Sequence, residues 1–331
     1  MDLRGYPRIA TKRMMKMLKS VYQHTVQQAL TISGIGVHSG APATLTIRPA
    51  PAGSGIVFIR TDIQDRNNVI PARWDHVADT RLCTVIANKA GATVSTIEHL
   101  MSAFAALGVD NAEVDIDGPE TPIMDGSAKP FIEAMDRTGL ARQKAARKVL
   151  VIKKTISVKD GDKEAILSPA DGQYFGFEIE FDNALIGRQK YIHQLKENSF
   201  RGEIAAARTF GFLHEVEMLR KMGLARGGSL DNAIVIDGET VMNPDGLRFK
   251  NEFVRHKILD AVGDIYLAGA QLIGHYHGIK AGHAMNNKIL HALFADPTAY
   301  AIVTLNQSPE TQVAAPVRSA AYFGEAVTVG A

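Results

Sequence analysis

Along the first half of the chain, apolar and polar residues alternate in short runs broken by Gly, Pro, Asn and Asp. The segments TVQQALTISGIGVHSG, APATLTIRPA and SGIVFIRTDI have the period of two that sends alternate side chains to opposite faces, and they predict strands. At 95–108 the period lengthens: STIEHLMSAFAALG predicts a helix, with Ser95 or Thr96 as its cap and Gly108 as its stop. NAEVDIDG predicts a further strand, PETPIMDGSAKPF a turn-rich stretch, and 128–138 a second helix. In the second half the pattern predicts strands at about 149–158, 163–168 and 174–181, then a long helix at about 250–269 and another at about 285–295.

Two α+β halves of similar order follow from this pattern, and 331 residues exceed what one core usually holds. The charged stretch ARQKAARK at 141–148 lacks apolar periodicity and is the best candidate linker, which places a first domain at 21–146 and a second at 147–320. A basic tail at 1–20 and a short tail at 321–331 flank them. A Gly-rich segment, LARGGSLDNAIVIDG, occupies 224–238.

Composition narrows the function classes. With 46% hydrophobic and 22% charged residues the chain can bury a sizeable core. Its single cysteine, Cys83, rules out an internal disulfide and fits a reducing, cytoplasmic address. The first twenty residues carry six Lys or Arg against one Asp, but Lys12, Arg13, Lys16 and Lys19 interrupt every apolar window that a signal peptide would need. That segment is expected to be a disordered tail, or to precede an internal start at Met17. Subtracting its +5 from the overall +2 leaves the remainder near −3, so no general basic surface for nucleic acid is expected. No apolar run reaches the roughly 18 residues of a transmembrane span.

Three stretches carry the candidate chemistry. In NEFVRHKILDAVGDIYLAG, His256 and Asp260 stand four residues apart on a helix, so they project about 40° apart on one face and can share a ligand. Asp264 continues the stripe, although a solvated face with i, i+4 pairing explains the same residues. In STIEHL, Glu98 directly precedes His99, as in hydrolases whose base touches an activated water beside the metal; a carboxylate near a helix N-terminus is the alternative. In IKAGHAMNNK, His283 follows a Gly turn, where a satisfied structural histidine is the commoner explanation. Two His and one Asp make a three-ligand set with room for water, the pattern of a catalytic zinc.

These residues bring out a resemblance. GIGVHSG, STIEHL, GVDNAEVDIDGPETPIMDGSAKPF, ARTFGF, FVRHKILDAVGD and GHAMNNK, in that order over about 22–320, resemble the UDP-3-O-acyl-N-acetylglucosamine deacetylase family of lipid A biosynthesis in Gram-negative bacteria. The resemblance implies two similar domains, each a two-layer sheet/helix sandwich, with the active site between them, and an insert at about 211–238 forming an apolar passage for an acyl chain. It implies one Zn²⁺ held by His99, His256 and Asp260, with Glu98 as general base. It makes His283 a general acid or electrostatic stabiliser oriented by Asp264, Thr209 a donor to the oxyanion, and Phe210 part of the sugar site. Lys257, Lys163 and Lys280 fall where the family has cations near the diphosphate and sugar, and Phe181 where it has an aromatic ring that stacks on uracil. The implied partner is the small-molecule UDP-3-O-acyl-GlcNAc, and a monomer suffices.

Cys83, in DTRLCTVI, lies near the implied metal, where a thiolate could be a fourth, inhibitory ligand; a small buried group is the plainer reading. HYHG at 275–278 looks metal-like, but alternate residues on a strand account for it. Two other classes remain. A phosphotransferase could use ARGGSLDN to hold phosphate, but the segment lacks the G-x-x-x-x-G-K-[ST] spacing. A non-catalytic lipid or nucleotide module would keep Phe181, Lys163 and the insert without needing Glu98.

Overall fold

The computed structural model describes residues 20–305. The expected tails, 1–20 and 321–331, lie outside the described residues except for Ser20, as do residues 306–320.

Strands from the first half form a five-stranded sheet in the order Leu30–Ile35, Pro42–Pro49, Ala112–Ile116, Ile56–Arg60, Val69–Pro71. Leu45, Ile47, Val114 and Ile116 alternate onto its inner face, while Arg48 on the outer face pairs with Asp115 at 2.6 Å and Glu113 at 2.7 Å. Two helices, α1 (Glu98–Leu107) and α2 (Lys129–Thr138), supply Leu100, Phe104, Phe131 and Met135 to the same core. A seven-stranded sheet follows, drawn from residues 148–304 and centred on the long strand Gln271–Ile279. That strand pairs in parallel with Lys148–Ile152 and Gln173–Glu180 and antiparallel with Lys163–Ser168. The chain is a mixed α+β fold whose sheets pack against helices.

The second half adds α3 (Glu197–Glu203), α4 (Leu213–Lys221), α5 (Glu252–Tyr266) and α6 (His283–Ala295), with α5 packed against α1 and α6 against the second sheet. The crossing of α1 and α5 is unusually close. A Cβ built at Gly263, in mid α5, would fall 2.0 Å from the Glu98 carbonyl oxygen and 3.0 Å from the Ser102 nitrogen, so only glycine lets the two backbones meet there.

The expected boundaries hold in most places, and the exceptions have physical causes. α1 has no side-chain cap: Ile97 occupies that position, and Thr96, at φ 59°, donates its hydroxyl to Glu120 at 3.1 Å instead. Its other end stops as read, with Gly108 left-handed and Val109 N–H bonded to the Phe104 carbonyl at 2.9 Å.

The stretch at 141–148 is not a linker. Residues Leu140–Ala146 form a strand paired with Tyr22–Val26, and Arg147 is only 1% exposed. Its guanidinium donates to Asp110 at 2.7 Å and to the Gly108 carbonyl at 2.6 Å. A narrow two-stranded ribbon needs little apolar periodicity, and a buried Arg with charge-assisted partners looks like a surface one in sequence.

The Gly-rich segment is no phosphate cradle. Gly227 N–H bonds to the Val37 carbonyl at 3.0 Å, Arg226 N–H to the His38 carbonyl at 3.2 Å, and a Cβ at Gly227 would meet Gly36 O at 2.2 Å. Gly227 serves a backbone-to-backbone approach onto the GIGVHSG turn. Among the described residues no helix is long and apolar enough to cross a membrane.

Candidate active site

The α1–α5 crossing brings residues from the two halves of the sequence into one buried cluster. His99, His256 and Asp260 are 4%, 2% and 4% exposed, and one ligand atom from each lies within 4.8 Å of the others. Nε2 of His99 and Nε2 of His256 stand 3.6 and 3.3 Å from Asp260 Oδ1. His256 Nδ1 donates to the Ala207 carbonyl at 3.0 Å, and since a carbonyl can only accept, Nε2 keeps its lone pair for the cluster. Burial pushes His256 down to about 3, so its imidazole is neutral. Asp260 stays well below the ordinary carboxylate range in spite of its burial, and Lys257 Nζ donates to its Oδ2 at 2.8 Å. A neutral imidazole, a second imidazole and a carboxylate converging on one point fit a divalent transition ion.

Glu98 lies beside this set without joining it. Burial pushes its carboxyl above the ordinary range, while Thr84 N–H donates to Oε2 at 3.1 Å. Across from it, His283 Nε2 is 3.8 Å from Glu98 Oε1. His283 Nδ1 donates to Asp264 Oδ2 at 2.7 Å. Burial would lower the His283 imidazolium, but Asp264 and Glu98 outweigh it and carry the pKa up to about 9. Asp264 also accepts from Thr84 Oγ1 at 2.6 Å and from Asn286 Nδ2 at 2.8 Å, and Tyr276 OH donates to Asn286 Oδ1. The stripe His256, Asp260, Asp264 is therefore no solvated face.

Glu98, His99, His256, Lys257, Asp260, His283, Thr209 and Phe210 all line one cavity of about 510 Å³. Thr209 is fixed there by its own backbone, with N–H to the Gly126 carbonyl and C=O accepting from Ile234 N–H, both at 2.8 Å. Away from the cluster much of the wall is apolar, although Glu215 and Arg220 of α4 also line it. Phe210–Phe212 pairs in parallel with Ile234–Asp237 around α4, and Leu213, Val216 and Leu219 of α4 face inward with Val235. Met218 and Met222, which share that helical spacing, point outward at 55% and 68% exposure.

Three further residues singled out from the sequence lie outside the cavity lining. Phe181 sits edge-on behind Phe210, with ring centroids 5.8 Å apart. Lys163 is exposed at the start of its strand, and Lys280 pairs with Glu180 at 2.7 Å and Asp162 at 3.1 Å. Cys83 lines the cavity but is not one of the converging ligands, and burial pushes its thiol up to about 12.

The sequence reading missed the support of the site. Arg208 donates to Glu252 at 2.9 Å and to the Gly246 carbonyl at 2.7 Å, which holds the ARTFGF turn onto the start of α5 and delivers Ala207 O to His256. Glu120 accepts from His38 and Ser39 N–H at 2.8 Å each, tying GIGVHSG to the PETP turn. Each is a charged residue inside a motif already noted, and that was the available signal.

Comparison with known proteins adds an independent line. The family model described as LpxC, UDP-3-O-acyl N-acetylglycosamine deacetylase, matches residues 23–295. A protein of Phenylobacterium zucineum (strain HLK1) named UDP-3-O-acyl-N-acetylglucosamine deacetylase is 51% identical over 284 residues, 86% of this chain and 97% of the relative. Proteins of the same name from Myxococcus xanthus (strain DK1622) and Shewanella sp. (strain W3-18-1) are 50% identical over 86% of the chain and 90% of the relative, and 45% over 92% and 99%.

Proposed function

Since the chain belongs to the UDP-3-O-acyl N-acetylglycosamine deacetylase family, we propose that it removes the N-acetyl group of UDP-3-O-acyl-N-acetylglucosamine in lipid A biosynthesis, with zinc held by His99, His256 and Asp260. The observation that carries this reading is the meeting, in one cavity, of three converging ligand atoms, a raised carboxyl beside them and an apolar wall leading away. A reducing cytoplasm suits its free, buried Cys83. The same reading puts the domain boundary between Ala146 and Arg147 and the acyl-binding insert at about 211–238.

When bound, zinc would polarise the acetamide carbonyl and lower the pKa of the attacking water. Glu98 takes that water's proton, and its burial makes it a stronger base than an exposed glutamate. The Thr209 hydroxyl donates to the oxygen on which charge gathers. His283, held cationic and turned by Asp264, gives the departing amine its proton. Phe210 walls the sugar. Lys257 reaches the substrate from beside Asp260, while Lys163, Lys280 and Phe181 contact the nucleotide where it extends beyond the cavity.

The direct test supplies the purified, zinc-loaded protein with synthetic UDP-3-O-acyl-GlcNAc and with UDP-GlcNAc. Acetate release from the acylated compound is expected, with kcat/KM on the order of 10² or more above that of the compound lacking the chain, since remote binding energy is spent at the reacting centre. Equal turnover of both would remove the role of the apolar wall.

A pH profile tests His283 separately. Its pKa is raised, so the proton is held below about 9 and lost as pH climbs through it; turnover is expected to persist through neutrality and fall in that range. Asp264→Asn removes a charge that raises His283, and the alkaline limb should move to lower pH. An unmoved limb would take His283 out of the proton transfer.

A further inference from the structure

Glu98 on α1 and Asp264 on α5 share a neighbour that belongs to neither helix. Thr84 stands in the stretch DTRLCTVI, just before the strand Val85–Ala87, and is 2% exposed. All of its polar groups are committed to the site. Its N–H donates to Glu98 Oε2 at 3.1 Å, and its hydroxyl donates to Asp264 Oδ1 at 2.6 Å. Its carbonyl accepts from the N–H of Ile97, the residue before α1, at 3.5 Å. Leu82 and Cys83 line the cavity, whereas Thr84 lies behind it, so whatever it does for the reaction it does through other residues.

The two donors fall on matching atoms. Glu98 gives Oε2 to Thr84, while its Oε1 is the oxygen 3.8 Å from His283 Nε2. Asp264 gives Oδ1 to Thr84, while its Oδ2 accepts from His283 Nδ1 at 2.7 Å and from Asn286 Nδ2 at 2.8 Å. Each carboxylate is thus held by one oxygen and keeps the other for His283. The terminal torsion of a carboxylate is soft, with broad wells, so a donor on the second oxygen is what stops the plane from turning. Threonine suits both tasks at once, because a β-branched side chain is stiff at χ1 and keeps its N–H and hydroxyl at a fixed spacing.

We propose that Thr84 is a positioning residue for the deacetylation: its hydroxyl holds Asp264, and through Asp264 the imidazole of His283, in register with Glu98. The inference rests on the assignment of Glu98 and His283 to proton transfer. It gives the hydroxyl a role distinct from filling space, since a methyl group in its place would occupy the same volume and leave Asp264 Oδ1 without this donor.

Thr84→Val and Thr84→Ser separate the hydroxyl from the bulk around it, and both keep the backbone N–H on Glu98. In zinc-loaded protein with UDP-3-O-acyl-GlcNAc, Thr84→Val is expected to lower kcat on the order of 10- to 10²-fold, the cost of a misplacement of about 1 Å near the reacting atoms. KM and zinc content should stay at the parent's values, and Thr84→Ser should recover most of the rate. On a His283→Gln background the same Thr84→Val change should cost little further, because its route runs through His283. An equal loss in both backgrounds, or a loss carried by KM or by zinc content, marks a general structural role and overturns the proposal. So does an active parent matched in rate by Thr84→Val. A parent that releases no acetate overturns this inference together with the reading it rests on. Should Thr84→Val misfold by circular dichroism, Thr84→Ala, which brings no methyl against Asp264, decides in its place.

Discussion

Glu98→Gln is expected to keep fold and metal content and to lower kcat by about 10²–10⁴, the usual contribution of a positioned general base. Glutamine is the informative choice because its side-chain carbonyl can still accept the Thr84 N–H that positions Glu98, so only the ability to take a proton is lost. KM should change little, since the carboxylate faces the attacking water rather than the parts of the substrate that bind. The measurement is steady-state acetate release alongside zinc content. A variant that retains zinc and turns over at the parent's rate shows that the proton goes elsewhere. Glu98 is flanked by His283 at 3.8 Å, and double substitution with His283→Gln should then be far from additive, because the two residues serve one proton path.

The second large effect is expected from His256→Ala. Removing one of three ligands leaves His99 and Asp260 too weak a pair to hold the ion, and it frees the Ala207 carbonyl inside a buried site. Lewis-acid catalysis supplies several kcal/mol of transition-state stabilisation, and each 1.36 kcal/mol is tenfold in rate, so a loss of roughly 10³ or more is expected. The control is the parent chain stripped with a chelator: it should lose activity to a similar degree and regain it when zinc is added, whereas His256→Ala should regain none. A variant that keeps both its zinc and its rate would displace His256 from the ligand set.

How far the sequence could be read depended on how local each interaction is. Helix α5 and the pairing of His256 with Asp260 were legible because a four-residue spacing on a periodic helix is itself a geometric statement. Glu98 and His99 were legible only through the resemblance, since a Glu-His dipeptide has an innocent explanation as a charged first turn. Thr84 was invisible: it reaches Asp264 across 180 residues. The carbonyl of Ala207 is a backbone atom whose use by His256 no residue type announces. Thr96 was misassigned as a cap because its hydroxyl had a nearer claim from Glu120, itself held by the GIGVHSG turn. Arg147 was taken for part of a linker because its partner, Asp110, lies 37 residues away.

The contact at Gly263 sets the spacing of the reaction centre. The peptide oxygen of Glu98 rests against the one position of α5 that has no side chain, so the distance from base to ligands is gauged by backbone against backbone. Side chains hop between rotamers in picoseconds to nanoseconds, whereas packed helices shift only in collective motions of microseconds to milliseconds. The backbones that carry Glu98 and the ligands on α5 therefore keep their separation on timescales shorter than that of the helices themselves, and the side chains start from the same two anchor points each time a substrate arrives.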